Sequence, residues 1–275
     1  DFPPEEGAED ILRLTELSTP ADRHVAITRR PGDGPHVVRV KIFRLGEIIP
    51  LSESVPIFEN FGFKVIEEVP YDLAGGEIGW IHDFRLELAT PIEDLAPFCA
   101  LVRPALTDVL AGVQENDGFN ALIPACGLTA EEANWLRAWF RYLRQTGASY
   151  GLQTAVDAMK RNPEAARALI GMFRALHDPA APKKGREAKE EAFTDALAQV
   201  QSIDDDRILR LFRDLVEAML RTNAFVPGKP DALAFKLECA RIPGLPKPHP
   251  WREIWVYSPR VEGIHLRGSR VARGG

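Results

Sequence analysis

The sequence lacks most of the signals that announce a cofactor, a metal or a membrane. Cysteine is scarce: Cys99, Cys126 and Cys239 are the three in 275 residues. Odd in number and far apart, they fit neither a disulfide framework nor a zinc spacing. They point to a reducing compartment and to use as small buried hydrophobes. No apolar run approaches the ~20 residues of a membrane-spanning helix. Neither G-x-G-x-x-G nor G-x-x-x-x-G-K-[ST] occurs, so no dinucleotide or P-loop is signalled. H-E-x-x-H, C-x-x-C and G-x-S-x-G are missing too, which removes the common metal and serine-hydrolase signatures. Basic residues are not in excess: 34 Lys and Arg against 40 Asp and Glu leave a net charge of −6, the wrong sign for a general nucleic-acid binder. Residues 1–10 are acidic, with no basic-then-apolar signal peptide.

What is present is ordinary globular composition, 45% apolar and 27% charged, too apolar for disorder. At about 100–200 residues per domain the length predicts two domains, with part of a third. A first residue Asp1 and the closing Val271-Ala272-Arg273-Gly274-Gly275 read as a piece cut from a longer cytoplasmic protein.

Patterning divides the chain into regions. Residues 1–35 read as a connector, with a short helix over 11–17 and turn-rich Arg29 to Pro35. Over 36–114 the pattern predicts β-α-β-β-α. Val38, Val40 and Ile42 alternate on a strand; 51–61 is helical; 64–69 and 80–88 are strands about a Gly75-Gly76 turn; a helix runs from Pro91 to about 110. That is the ferredoxin-like plan without its last strand, an α+β fold whose bare sheet edge seeks a partner. Residues 118–224 read as a helical domain, opened by the capping box Thr129-Ala130-Glu131-Glu132. Polar residues 178–191 read as a mobile linker. From 225 to 275 short strands return, over 233–239, 254–257 and 263–271.

Chemistry-bearing residues are few. His82 beside Asp83 has the makings of a base and its orienter, but neighbours on a strand point to opposite faces. Arg137, Arg141 and Arg144 share a helix face; a row of this kind either binds an anion or is simply solvated, and solvation is the commoner outcome.

Two stretches go further. Residues 115–145, with Phe119-Asn120-Ala121-Leu122, Ala125-Cys126-Gly127-Leu128 and Trp135 through Gln145, resemble the "FNxLv…aGLtwrevxlLRayxxYlrQ" pattern of the large bacterial NAD-specific glutamate dehydrogenases. Arg221 to Phe225, Ala234 to Leu237 and Trp255 to Gly268 are similar to the stretch leading into that family's catalytic domain. The closing VARGG is similar to its entry into the substrate site. The resemblance covers about Arg39 onward.

The resemblance implies an ACT-like regulatory domain over 36–114, a helical spacer and assembly region over 118–224, and the start of the glutamate-binding catalytic domain over 225–275. It implies NAD as cofactor of the complete enzyme, with the nicotinamide-binding fold and the catalytic lysine and aspartate beyond residue 275. The chain alone is then inactive and binds no NAD. ACT domains bind amino acids at the loop after their first strand, here Arg44 to Pro50, with Gly46, Glu47 and Ile48 as effector-contacting positions; the same residues also make a plain strand-to-helix turn. Arg273, Gly274 and Gly275 stand where the smaller glutamate dehydrogenases place a Lys-Gly-Gly that meets a substrate carboxylate. Arg273 is read either as that contact or as a solvent-facing arginine. The implied partners are a second copy of the chain, the rest of the same polypeptide and an amino-acid effector, without nucleic acid or membrane. The competing reading is a self-standing amino-acid sensor acting on another protein; the terminal VARGG favours the dehydrogenase.

Overall fold

Alternation over Val38, Val40 and Ile42 builds strand β2 (Val37–Arg44) at the centre of a four-stranded antiparallel sheet. The computed structural model describes residues 3–73, 78–228 and 230–271, which form two units, one up to residue 130 and one from 131 on. In the first, helix α1 (Pro4–Thr15) precedes β1 (His24–Thr28) and β2. Helix α2 (Leu51–Asn60), strands β3 (Phe63–Leu73) and β4 (Gly79–Leu88), helix α3 (Leu95–Leu110) and the short α4 (Leu122–Cys126) follow. The sheet order is β1-β2-β4-β3.

That order is ferredoxin-like, with one exchange. The place of the usual last strand, antiparallel beside β2, is taken by β1, with Thr28 opposite Arg39 and His24 opposite Phe43. The stretch expected as a connector therefore contributes an edge strand, and the bare edge expected beside β2 is occupied. The other edge, β3, is interrupted by a bulge at Val65–Glu67 and carries Pro70, two features that discourage strand addition.

Even-numbered residues of β2 and β4 face α2 and α3. Phe58 of α2 meets Phe84 with ring centroids 4.7 Å apart and planes tilted by 55°, and Phe98 of α3 lies 6.0 Å from Phe63. Helix α3 begins later than the expected Pro91, because the Asp94 side chain caps it by accepting from the Ala96 N–H. Odd-numbered residues face α1, whose Leu14 enters a cluster of Ala26, Phe43 and Ile81.

The second unit opens with α5 (Ala130–Gln145), α6 (Leu152–Arg161), α7 (Pro163–His177), α8 (Arg186–Ala198) and α9 (Ile203–Ala218). Strands β5 (Met219–Thr222), β6 (Leu233–Leu237), β7 (Arg252–Tyr257) and β8 (Glu262–Arg267) form an antiparallel sheet in sequence order. Helix α8 starts inside the expected linker, since Phe193 and Leu197 are buried and hold it, so the irregular stretch shrinks to 178–185. Met219, expected at the end of a helix, opens β5. Helix α6 was not expected: its buried face is mostly alanine, Ala155 and Ala158 beside Val156 and Met159, and gives little hydrophobic contrast.

Helix α9 is fixed at its start. The Ser202 hydroxyl accepts from the Asp205 N–H, and the Asp205 carboxylate takes a two-pronged grip from Arg161 at 2.7 and 2.9 Å. The Arg161 hydrogen bond first, and its charge, hold the Asp205 pKa below the usual value against some desolvation. A depressed folded pKa adds stability above the unfolded value of about 3.9, lost as pH falls through the folded one. Arg161 is 57% exposed, so screening limits Asp205→Asn to a cost of about 1 kcal/mol at neutral pH. The melting-temperature gap between wild type and Asp205→Asn is expected to close on acidification below that value; a gap independent of pH would show that the charge contributes nothing.

Candidate functional site

The loop after β2 is pinned at one end and open in the middle. Arg44 ends the strand and donates to the Ile48 carbonyl at 3.4 Å. Gly46 sits at φ +79°, in the left-handed region. Gly46, Glu47 and Ile48 are exposed, whereas Ile49 is buried. The Ile49 N–H donates to His82 Nε2 at 3.1 Å, so Nδ1 carries the proton and donates to Glu68 Oε1 at 2.9 Å. The His82 ring is wholly buried, stacked 6.4 Å from Trp80 and 6.3 Å from Phe84. A histidine on β4 thus holds the loop from beneath. Gly79, across from Arg44, is needed for close approach: a Cβ there would stand 2.5 Å from the Arg44 carbonyl oxygen.

His82 and Asp83 point to opposite faces, as strand geometry requires, and do not form a pair. Asp83 lies on the α1 side, where Arg30 donates to its Oδ2 at 2.9 Å. Desolvation first pushes the Asp83 pKa up, and the Arg30 charge opposes it. Beside it Lys41, 3% exposed, donates to Asp10 and, at 2.6 Å, to Glu6, both on α1. This ionic group was not foreseen, because a single lysine on the polar side of a strand carries no sign of its partners.

The arginine row of α5 does not form one solvated face, since Arg144 is exposed, Arg141 half-buried and Arg137 buried. Arg137 is buried and donates to Asn134 at 3.0 Å. Arg141 lies 3.4 Å from Glu262. Arg144 donates to the carbonyls of Ala148 and Tyr150. The reason is that α5 is covered on two sides. Trp135 and Trp139 meet Phe173 at 5.0 and 4.8 Å, and the other side faces β7, where the Trp255 indole N–H donates to the Ala138 carbonyl at 2.9 Å. Tyr142 donates to Glu253 at 2.5 Å, both buried.

Arg273, Gly274 and Gly275 lie outside the described residues, as does the Gly75-Gly76 turn. Upstream of them, β8 exposes Ile264 and Leu266, with Val261 and Val271 also exposed at its flanks. Cys126 and Cys239 are buried and unoxidised. Among the described residues no helix is long and apolar enough to cross a membrane, and no three His, Cys, Asp or Glu side chains group as metal ligands.

Comparison with known families matches residues 22–97 to the glutamate dehydrogenase ACT3 domain, 114–179 to glutamate dehydrogenase helical motif 3, and 192–275 to the catalytic domain of bacterial NAD-glutamate dehydrogenase. The chain belongs to the bacterial NAD-glutamate dehydrogenase family. Among curated relatives, an NAD-specific glutamate dehydrogenase of Halomonas elongata is 38% identical over 283 residues. Those of Pseudomonas aeruginosa and Mycobacterium tuberculosis are 34% and 35% identical over 287 and 289 residues. Essentially the whole chain aligns with each, yet it spans only 18% of their length. The ACT3 match begins before β1, in keeping with that strand's place in the sheet. Helix α5 falls in the helical-motif match, and β6 to β8 fall in the catalytic-domain match.

Proposed function

We propose that this chain is the regulatory and assembly part of a cytoplasmic, homo-oligomeric NAD-dependent glutamate dehydrogenase. Its complete polypeptide would oxidatively deaminate L-glutamate to 2-oxoglutarate and ammonia. The observation that carries the reading is the succession of three matched domains on a chain whose first unit has a ferredoxin-like sheet and a glycine loop held from below by His82. In that reading Gly46, Glu47 and Ile48 contact an amino-acid effector, which acts allosterically on the catalytic part. Residues 118–224 serve as helical spacer. Arg273, Gly274 and Gly275 contact glutamate.

NAD is assigned to the rest of the polypeptide. Both sheets described here are wholly antiparallel, whereas a dinucleotide fold needs parallel strands joined by βαβ crossovers and a glycine-rich turn. In this reading the chain by itself is inactive and binds no NAD.

The test is glutamate oxidation by the complete polypeptide, titrated with a panel of L-amino acids, in wild type and Gly46→Val. A β-branched residue at φ +79° is strained, so the loop must rearrange. The half-saturating concentration of the responding amino acid is expected to move at least fivefold. An enzyme that ignores every amino acid, or a Gly46→Val enzyme with an unaltered response, sinks the effector reading; a polypeptide that cannot oxidise glutamate with NAD sinks the whole.

A further inference from the structure

Helix α5 and strand β7 meet through three stepped polar contacts. Tyr257 Oη donates to Asn134 Oδ1 over a long 3.4 Å, Trp255 Nε1 donates to the Ala138 carbonyl at 2.9 Å, and Tyr142 Oη donates to Glu253 Oε2 at 2.5 Å. The helix advances by four residues at each step while the strand retreats by two. Four helical residues rise about 6.0 Å and two strand residues about 6.6 Å, so the periods match and the contacts repeat as rungs. A slip of β7 by one residue would turn Glu253, Trp255 and Tyr257 away from the helix together. A fourth contact, Arg141 to Glu262 at 3.4 Å, ties the same helix to the start of β8.

The strongest rung is also an expensive choice for stability. Glu253 is 5% exposed, and a well-packed apolar pair in such a place is often as stable as a buried charge or better. Its charge is felt around it: burial and the Glu253 hydrogen bond push the Tyr142 hydroxyl up, and burial followed by Glu253 pushes the Cys239 thiol up to about 11. Buried polar groups of this kind are best attested where they fix a register. Here the register matters downstream. Strand β8 is the sheet edge and is exposed or half-buried at every position, so among the described residues its place is set by pairing with β7 and by the Arg141–Glu262 contact, and β7 is held by β6 on its other edge and by α5 across its face.

We propose that Tyr142 and Glu253 are a positioning pair, which fixes β7 on α5 and so places the hairpin that leads into Arg273, Gly274 and Gly275. The proposal rests on the reading that this stretch contacts glutamate. It makes α5, within the helical-motif match, the element that sets the geometry of the substrate contact in the adjoining catalytic domain. Neither residue touches substrate.

The experiment uses the complete enzyme. Tyr142→Phe removes the hydroxyl and keeps the ring, whereas Glu253→Gln keeps an oxygen able to accept from Tyr142. Tyr142→Phe is expected to raise KM for glutamate at least fivefold with KM for NAD within twofold of wild type. Glu253→Gln is expected to stay within twofold for both. If Tyr142→Phe is recovered unfolded, Tyr257→Phe, which removes only the hydroxyl of the first rung, carries the same expectation of a raised glutamate KM. A glutamate KM within twofold of wild type in the folded variant, even with a lower melting temperature, reduces the pair to a structural role and overturns the proposal. Arg273→Ala separates the two levels. If it raises the glutamate KM while Tyr142→Phe does not, positioning fails alone; if neither moves it, the substrate reading fails as well.

Discussion

Lys41→Ala is expected to release α1 from the first unit. Lys41 lies on β2 beneath α1 and is gripped by Asp10 and Glu6, with Asp10 itself 6% exposed at its side chain. Deleting the ammonium leaves Asp10 with Arg13, 3.2 Å away, and leaves Glu6 and Asp83 sharing Arg30, at 3.6 and 2.9 Å. Removing one partner of a buried ion pair costs about 3–5 kcal/mol where the other is left uncompensated, and Arg13 and Arg30 hold the loss to the low end of that range. The apolar seat of α1 is Leu14 in its cluster, and burying one leucine contributes only about 1.5–3 kcal/mol. The charge loss therefore at least matches what holds the helix. Amide hydrogen exchange over residues 4–15 is expected to lose its protection while β3 and β4 keep theirs. Unchanged protection on α1, with a stability loss below about 1 kcal/mol, would mean that the acids are solvated and the pair is weak.

The second large effect is expected at Arg273, in the complete polypeptide under saturating NAD. A guanidinium grips a carboxylate through two parallel hydrogen bonds, and two following glycines leave bare backbone beside it. Of the arginines that precede it, Arg267 is committed to the β7–β8 hairpin. Its guanidinium lies 5.5 Å from the Trp251 ring and donates to the Arg270 carbonyl at 3.5 Å. Losing one charge-assisted pair costs about 1.5–3 kcal/mol, so Arg273→Ala should lower kcat/KM for glutamate roughly 10–150-fold. A change under about twofold would make Arg273 an ordinary surface arginine.

Much of the fold could be read from periodicity, and the failures have physical causes. Val38, Val40 and Ile42 announce β2 because the face they share is uniformly apolar and buried. Strand β1 hides because it has five residues, His-Val-Ala-Ile-Thr, set between turn-rich stretches, and its role depends on pairing with β2. The first turns of helix α8 hide because they are charged and polar, with the buried Phe193 and Leu197 coming only after them. The candidate loop was legible through Gly46, whereas the histidine that holds it was read only against its sequence neighbour Asp83. Its true partners, Ile49 and Glu68, are 33 and 14 residues away. Tyr142 and Glu253 stand 111 residues apart, and no local spacing relates them.

The exchange of the last strand for a leading one bears on the order in which the first sheet assembles. In the usual ferredoxin-like plan the fourth strand arrives last and must pair with the first across nearly the whole domain, so loop-closure entropy is spent before the pairing is rewarded. Here the same position is filled by a hairpin. Thr28 pairs with Arg39 and His24 with Phe43, neighbours joined by a loop that Arg29 clips with bonds to the carbonyls of Val37 and Pro35. The longest-range pairing of the plan becomes a local one. The β1–β2 ribbon can form while the rest of the sheet is still unmade, and the remaining strands then add to a ribbon whose outer edge is already in place.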